Sequence, residues 1–313
     1  MIINNATYNE NCFGCNDMYI FAIGYEHRSY YLYDQIVSRF PSIIPIIFVL
    51  DDYTKYPHTR EQVNEIKRRG GKIFFNGYAD YQEIQQRIVD YVHEWISEND
   101  SITIHIDYSS MPRSWYCKLP ILLKNIIRKE DTVYFWYSEG EYPSSYEEYP
   151  SAGIDSFSLF SGKPSLQIDN NRIHVLGLGY DVIRSQAILS ITDPNYLVVC
   201  YAYNPRREGF LDSLKAVNDP IFSRAAMTLA LHVDDFEFMV SKLCETANEL
   251  LPAGDVILIP DGPKPLIFAF SLVPDLLKKS GITCLHISRN SEYFEAVDVK
   301  ATGIIHGFSI QVE

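Results

Sequence analysis

The sequence predicts an α/β protein made of two tandem Rossmann-like units, each a mostly parallel sheet with helices on both faces. Two observations support this. Short apolar strands alternate with amphipathic helices, and landmark residues recur at a nearly constant spacing. A chain of 313 residues is also long enough for two domains that each bury a core. We place the first unit at residues 1–139, a connecting segment at 140–170 and the second unit at 171–313.

The first strand of each unit is the clearest recurrence. Met18–Ile23 is an apolar strand that runs into Gly24 and then into a helical pattern, and Ile173–Leu178 does the same before Gly179. In both places the order is Gly-Tyr-acid followed by Arg-Ser, and the two glycines are 155 positions apart. The loop between strand and helix therefore recurs together with the strand.

Three later blocks keep nearly the same spacing. They are the strands Ile43–Leu50 and Tyr196–Tyr201, the helix starts at Asp80 and Asp235, and the strands that end at Asp107 and Asp261. Several matching segments that follow in the same order, each pair separated by nearly the same number of residues, predict a duplication. We expect Gly24 to correspond to Gly179, and Asp107 to correspond to Asp261.

The charge and the cysteines limit the partners and the compartment. The net charge of -13, from 40 acidic against 27 basic residues, argues against binding of a long nucleic acid, which needs a basic surface. A small anionic nucleotide remains compatible with an acidic protein, because helix N-termini bind phosphate locally. The six scattered cysteines and the absence of a secretory pattern predict a cytoplasmic protein. No apolar run approaches the roughly 20 residues that span a bilayer, so we expect no membrane partner.

The sequence predicts no metal site and no cofactor. Cys12 and Cys15 have the spacing of a zinc knuckle, but no second Cys or His pair follows at a suitable distance. His105 lies within an alternating strand, where we expect it to satisfy a hydrogen bond of the core rather than to catalyse.

The loop after the first strand of each unit is the first candidate site, because ligands of open parallel sheets bind beyond the carboxyl ends of the strands. Its candidate residues are Tyr25, Glu26, His27, Arg28 and Ser29 in the first unit, and Tyr180, Asp181, Arg184 and Ser185 in the second. An arginine at a helix start can bind a phosphate or a carboxylate with two hydrogen bonds. The alternative is a solvated helix cap with an internal pair between the arginine and the acid.

The loop after the later strand is the second candidate site. Its candidate residues are Asp107, Ser109, Ser110 and Arg113 in the first unit, and Asp261, Gly262 and Lys264 in the second. Each loop places an aspartate at a strand end, then small residues, a proline and a cation as a helix begins. Small residues let backbone amides approach an anion, which the cation neutralises. The alternative is a well-capped helix start with proline in its first turn.

The segment Asp261-Gly262-Pro263-Lys264-Pro265-Leu266 resembles the Asp-x-Thr-Gly-Gly-Thr-Lys-Pro loop of the CRISPR-associated Rossmann fold (CARF) family. The resemblance implies binding of a cyclic oligonucleotide second messenger between two such loops, usually across a dimer axis. The chain as a whole also resembles SAVED domains in its layout, since those domains fuse two such units in one chain. This chain lacks the threonines, and its first copy has Ser-Ser-Met-Pro-Arg instead, so the resemblance implies no preference for adenine.

These observations predict a cytosolic sensor that binds a cyclic or linear oligonucleotide between its two units, in prokaryotic antiviral defence. Its output would pass through an effector protein, through a homo-oligomer or through destruction of the ligand. One alternative is an enzyme that hydrolyses a nucleotide or its phosphodiester or glycosidic bond. In that enzyme Glu26 or Asp107 is the base, His27 the acid, and Arg28 or Arg113 the charge stabiliser. The other alternative is a protein-interaction module with a vestigial nucleotide site.

Overall fold

The computed structural model describes residues 1–141, 151, 153–165, 171–179, 181–206, 209–288 and 297–313. The chain divides into two compact units, one formed by Met1–Tyr142 with Ala296–Glu313 and the other by Pro143–Glu295. Each unit is built on its own sheet. Within the described ranges, no helix is both long and apolar enough to cross a membrane.

The described part of the first unit forms a seven-stranded sheet. In spatial order its strands are β1 (Ile2–Thr7), β13 (Lys300–Gln311), β6 (Thr132–Glu141), β5 (Thr103–Asp107), β2 (Met18–Ile23), β3 (Ile46–Leu50) and β4 (Lys72–Asn76). The strands from β6 to β4 are parallel, whereas β13 is antiparallel to both β6 and β1. Every residue of β2 and β3 is buried, as expected of central parallel strands with both faces covered.

Helices with one apolar side cover this sheet. They are α1 (Tyr31–Arg39), α2 (Pro57–Arg68), α3 (Tyr81–Glu98), α4 (Arg113–Tyr116) and α5 (Leu119–Leu123). In α3 the residues Ile84, Ile88 and Val92 recur every fourth position and are all fully buried. Asp80 is the N-cap residue of α3, so the predicted start of this helix is confirmed.

The described part of the second unit forms a six-stranded sheet. In spatial order its strands are β10 (Met227–His232), β9 (Tyr196–Tyr203), β8 (Arg172–Leu178), β11 (Asp255–Pro260), β12 (Ile282–Ile287) and β7 (Phe157–Lys163). The strands from β10 to β12 are parallel, and β7 is antiparallel to β12.

Its helices are α6 (Val182–Thr192), α7 (Phe210–Val217), α8 (Asp219–Phe222), α9 (Phe236–Leu250) and α10 (Lys264–Leu277). Asp235 caps α9, because its carboxylate accepts a hydrogen bond from the backbone amide of Phe238 at 3.0 Å. This confirms the second predicted helix start. Helix α10 is buried continuously from Pro265 to Pro274.

Both sheets have one order of parallel strands, β4-β3-β2-β5-β6 in the first and β10-β9-β8-β11-β12 in the second. In each, the chain adds strands on one side of the first parallel strand and then returns to its other side. The order therefore reverses between β2 and β5 and between β8 and β11, which are the topological switch points of the two sheets. The predicted fold class of two Rossmann-like units is confirmed.

The antiparallel edge strands differ from the sequence-based division. The sequence predicts that Lys300–Gln311 belongs to the second unit, but it forms β13 and pairs with β6 and β1 of the first sheet. The sequence also predicts that Phe157–Lys163 lies in the connecting segment, but it forms β7 on the second sheet. Both strands are only partly buried and carry polar residues, so neither has the continuous apolar run by which the parallel strands were recognised.

The register of the strands also separates the two aspartates that were expected to correspond. Asp107 pairs with Phe21, three residues before Gly24. Asp261 follows Pro260, whose partner Gly177 lies two residues before Gly179. When the glycines are matched, Asp261 therefore lies two residues further along its strand direction than Asp107. The layout recurs, but this pair of positions is not equivalent by register.

Candidate functional site

The loop after β2 is fastened to the sheet by a buried arginine. Arg28 is 2% exposed, and its Nε and Nη2 atoms donate to the two carboxylate oxygens of Glu26 at 2.8 and 3.1 Å. Its Nη1 atom donates to Tyr137 Oη at 2.9 Å and to the backbone oxygen of Ser138 at 3.3 Å. The predicted anion-binding arginine therefore joins its own loop to strand β6, in a buried ion pair with bidentate geometry.

Asp107, at the end of β5, is engaged in the same interior. One of its carboxylate oxygens accepts hydrogen bonds from the backbone amide of Ser109 at 2.8 Å and from the Ser109 hydroxyl. Its other oxygen accepts from Tyr19 Oη at 3.4 Å. Burial, followed by the negative charge of Asp107, raises the pKa of Tyr19 well above its usual value. Asp107 is 1% exposed, so its carboxylate stabilises the loop through these internal hydrogen bonds.

The two loops meet at the first switch point. Ser110 donates from its hydroxyl to Glu26 Oε2 at 3.4 Å, and Ser109 Oγ accepts from the backbone amide of Ser138 at 2.7 Å. Arg113 begins α4 and is partly exposed. The structure thus brings Glu26, Arg28, Ser109 and Ser110 into one polar network, as expected from the carboxyl edge of a parallel sheet.

A second group of polar residues at this edge is accessible to solvent. His27 Nδ1 lies 2.6 Å from Asp298 Oδ2, and the side chains of the two residues are 48% and 45% exposed. The imidazole rings of His27 and His58 stack with their centroids 4.1 Å apart. Burial opposes ionisation of Asp298, but hydrogen bonds from the backbone and side chain of His27 outweigh it and lower the pKa of that carboxylate.

His27, His58 and Asp298 each offer a ligand atom within 4.8 Å of the others, so together they could hold a metal ion. Sequence reasoning selected His27 but missed the other two. His58 follows Pro57 at the start of α2, on the same edge of the sheet, and this position was a usable signal. Asp298 gave no signal, because its segment was assigned to the second unit.

In the second unit the corresponding arginine is also buried and paired, but with a distant acid. Arg184 is 3% exposed, and its Nε donates to Asp261 Oδ1 at 3.0 Å. It also donates to the backbone oxygens of Gly153 at 2.8 Å and Ile287 at 2.9 Å. Ser185 donates to the other oxygen of Asp261 at 3.3 Å. Arg184, Ser185 and Asp261 therefore form a buried network that joins the loops after β8 and β11.

The remaining predicted residues of this unit lie around that network. Asp181 caps α6 by accepting from the backbone amide of Arg184 at 3.0 Å, while Tyr180 lies outside the described residues. A side chain at Gly179 would lie 3.1 Å from the Cα atom of Gly262, so the backbones of the two loops approach closely there. Lys264 is partly exposed at the first position of α10.

The edge residues of the two units therefore fall into two classes. The two arginines, Asp107 and Asp261 are buried and engaged with other protein groups. Among the described residues, side chains at the same edges that solvent reaches include Tyr25, His27, His58, Asp298, Ser110 and Arg113 in the first unit and Asp181 and Lys264 in the second. An external ligand can contact these side chains without first disrupting the buried networks.

Comparison with known proteins does not identify a family for this chain. No protein-family model and no curated protein matches it. Among solved structures, a universal stress protein from Archaeoglobus fulgidus DSM 4304 is 12% identical over 88% of this chain and 98% of that chain, with a TM-score of 0.25. A leucoanthocyanidin reductase from Vitis vinifera, in its binary complex with NADPH, is 7% identical over 83% of this chain and 87% of that chain, with a TM-score of 0.23.

Proposed function

We propose that this protein is a sensor that binds a small nucleotide, cyclic or linear, at the carboxyl edge of its second sheet. The observation that carries the proposal is the combination of features at the second switch point. There Gly179 and Gly262 bring two loop backbones together, and Lys264 opens a helix of 14 residues. A lysine at the positive end of a long helix attracts a phosphate group.

The buried network below this edge supports a binding role. Arg184 and Asp261 neutralise each other and fix both loops, so the loops are positioned before any ligand arrives. A positioned site loses less free energy on ordering when it binds. The signal would pass to an effector protein or to a second copy of the chain, in the manner that the likeness to CARF and SAVED proteins implies.

Isothermal titration calorimetry with a panel of cyclic and linear oligonucleotides tests the proposal. Lys264→Ala should weaken binding by about tenfold, which corresponds to about 1.4 kcal/mol for one lost charge-assisted contact. Lys279→Ala is the matched control, because Lys279 lies just beyond the other end of α10 and bonds Asn248. Equal affinities of both variants and wild type, or no ligand in the panel, would count against the sensor and favour the interaction module.

The enzyme alternative depends on whether the bound nucleotide changes chemically. Of its predicted acid and base groups, Glu26 is paired with Arg28 and Asp107 with Ser109, so His27 alone is well exposed. Mass spectrometry of the ligand after long incubation with the wild-type protein separates the two functions. A sensor returns the ligand intact. Conversion that is lost in His27→Ala would replace the sensor by the enzyme.

A further inference from the structure

Three segments that are remote in sequence meet on the surface of the first unit, at the cluster His27, His58 and Asp298. His27 lies in the loop after β2, His58 in the first turn of α2, and Asp298 just before β13. Asp298 also accepts from the backbone amide of His27 at 3.0 Å, and the backbone amide of Arg28 donates to Val299 at 3.0 Å. The backbone therefore holds two of the three side chains in place.

The hydrogen bonds define which imidazole nitrogens carry lone pairs. His58 Nε2 lies 2.7 Å from the backbone oxygen of Tyr25, which can only accept, so this nitrogen carries the proton. The other ring nitrogen of His58, Nδ1, is then the one that can bind an ion. A histidine that donates one N–H to a backbone carbonyl is oriented in the way typical of metal ligands.

We propose that His27, His58 and Asp298 bind a divalent transition-metal ion, with Zn²⁺ as the representative. Two imidazole nitrogens and a carboxylate oxygen are the donors that such ions prefer. Metal–ligand distances of about 2.0–2.2 Å place neighbouring ligands of a tetrahedral ion roughly 3.3 Å apart. The ligand atoms here lie within 4.8 Å of one another, so a small rotation of exposed side chains brings them to that spacing.

Binding of the ion through His27 Nδ1 breaks the hydrogen bond between that nitrogen and Asp298, and the neutral ring then carries its proton on Nε2. Three protein ligands leave the fourth position of a tetrahedral ion to water, which is the arrangement of open rather than fully closed zinc sites. The ion would also cross-link the segment before β13 to the loop after β2 and to α2. We therefore expect Zn²⁺ to raise the melting temperature of the protein.

Metal content and affinity of the full chain test this site. After chelator treatment, incubation with ZnCl₂ and dialysis, the wild type should retain one Zn²⁺ ion per chain, measured by inductively coupled plasma mass spectrometry. Competition with a chromophoric chelator should show affinities at least about tenfold weaker in His58→Gln and in Asp298→Asn. Glutamine keeps a donor for the Tyr25 oxygen, so His58→Gln should preserve the fold. His93→Gln, at an exposed histidine of α3, should bind as the wild type does.

Cys12 and Cys15 offer a competing site, which a second pair of measurements separates. The double variant Cys12→Ser and Cys15→Ser should keep the equivalent of Zn²⁺, and Co²⁺ should bind without the sulfur-to-metal absorption band that thiolate ligands give. Three results would overturn the proposal. The wild type binds no Zn²⁺, the combined His58→Gln and Asp298→Asn variant still binds it, or only the cysteine variant loses it. These readouts involve no nucleotide, so they are independent of the proposed sensor function.

Discussion

Arg28 and Arg184 lie at corresponding places in the two units, but they take their acidic partners from different places. Arg28 pairs with Glu26, two residues away in the same loop. Arg184 pairs with Asp261, which lies 77 residues away in the loop on the other side of the switch point. Both also donate to a backbone oxygen near the end of the fifth parallel strand, Ser138 in β6 and Ile287 in β12. The two arginines therefore share the hydrogen bond to the fifth parallel strand, but they differ in the position of the acidic residue with which they pair.

Recurrence of an arginine therefore does not by itself indicate a ligand-binding role. An arginine that recurs at a helix start is compatible with an anion site in both copies. The structure instead gives it the same internal role in both, which is to hold the first loop against the last parallel strand. Groups that can contact a ligand then differ in part between the units: a partly exposed cation at a helix start, Arg113 or Lys264, is common to both, whereas two histidines and Asp298 are accessible at the edge of the first.

The largest expected effect comes from removing either arginine. Arg28→Met and Arg184→Met should each lower the free energy of unfolding by about 3–5 kcal/mol, because each leaves a buried carboxylate without its partner. Urea denaturation followed by circular dichroism measures this loss. A loss under 1 kcal/mol in either variant would mean that its carboxylate is not buried in solution.

Removing both partners sharpens the comparison. Arg28→Met with Glu26→Met should recover most of the loss, since it abandons one backbone oxygen at 3.3 Å and the Tyr137 hydroxyl at 2.9 Å, and a hydroxyl can turn to another partner. Arg184→Met with Asp261→Leu should recover less, because it still abandons two backbone oxygens that Arg184 bonds at 2.8 and 2.9 Å. Equal recovery in the two units would remove the distinction between the two arginines.

The antiparallel edge strands provide the next comparison, since each contains a glycine that faces a crowded neighbour. At Gly162 in β7 the backbone has a φ of 91°, and an added Cβ would overlap the backbone oxygen of Ile282. At Gly307 in β13 it would overlap the ring of Trp136, which is fully buried and donates to His105 Nδ1 at 3.0 Å. Of these two glycines, Gly162 alone also needs to be glycine for its backbone conformation.

Gly162→Ala should therefore cost about 3 kcal/mol, from steric overlap together with backbone strain, and Gly307→Ala about 2 kcal/mol from overlap alone. Gly209→Ala is the control for strain, because Gly209 has a φ of 76° and open space around it. Thermal unfolding of the three variants gives the order. If Gly307→Ala proves the most destabilising, the Trp136 ring is more rigid than the strand backbone.

Buried histidines distinguish the units in their response to acid. Burial, and then the charge of Arg172, lower the pKa of His174 to about 4. Burial also lowers the pKa of His105, but the hydrogen bond and charge of Asp17 oppose that shift. The unfolded chain binds a proton at His174 near pH 6.5 and the folded chain only near pH 4, so protonation in this window favours unfolding.

Stability should accordingly be retained above pH 6.5 and fall by about 3 kcal/mol as the pH drops to 4. His174→Gln should flatten that decline, and His105→Gln should flatten it less, because the hydrogen bond and charge of Asp17 oppose the lowering of the His105 pKa. Denaturant titrations at a series of pH values test this. An unchanged slope in His174→Gln would show that other groups cause the acid sensitivity.

The sequence was sufficient to predict the parallel core of each unit, because buried strands such as Met18–Ile23 are apolar throughout and helices such as α3 keep a regular apolar side. The helix starts at Asp80 and Asp235 were predicted from their recurrence, and both residues occupy the N-cap, a position that aspartate favours. These features are local, so a single stretch of sequence contains the whole signal.

Features that depend on long-range pairing could not be predicted. Strand β13 returns to the first sheet after the whole second unit, and an alternating, partly polar strand does not indicate which sheet it joins. The pairing of Arg184 with Asp261, and the meeting of His27 with Asp298 across 271 positions, likewise follow from topology. The sequence therefore placed the candidate residues at the carboxyl edges of the two sheets, where the structure has them, but did not distinguish accessible from buried side chains.

The smallest expected effect concerns the serines that follow the two arginines. Ser185 donates to Asp261 Oδ2 at 3.3 Å, whereas the buried hydroxyl of Ser29 has no hydrogen-bond partner among the residues that the structure describes. Ser185→Ala should cost about 1 kcal/mol, since it takes one donor from a buried carboxylate. Ser29→Ala should leave stability unchanged or raise it by up to about 1 kcal/mol, because it removes a polar group that is buried without compensation. Urea denaturation of the two single variants, side by side, measures the difference between them. A clear loss in Ser29→Ala would reveal a partner for that hydroxyl in solution and would make the two loops more alike than their hydrogen bonds indicate.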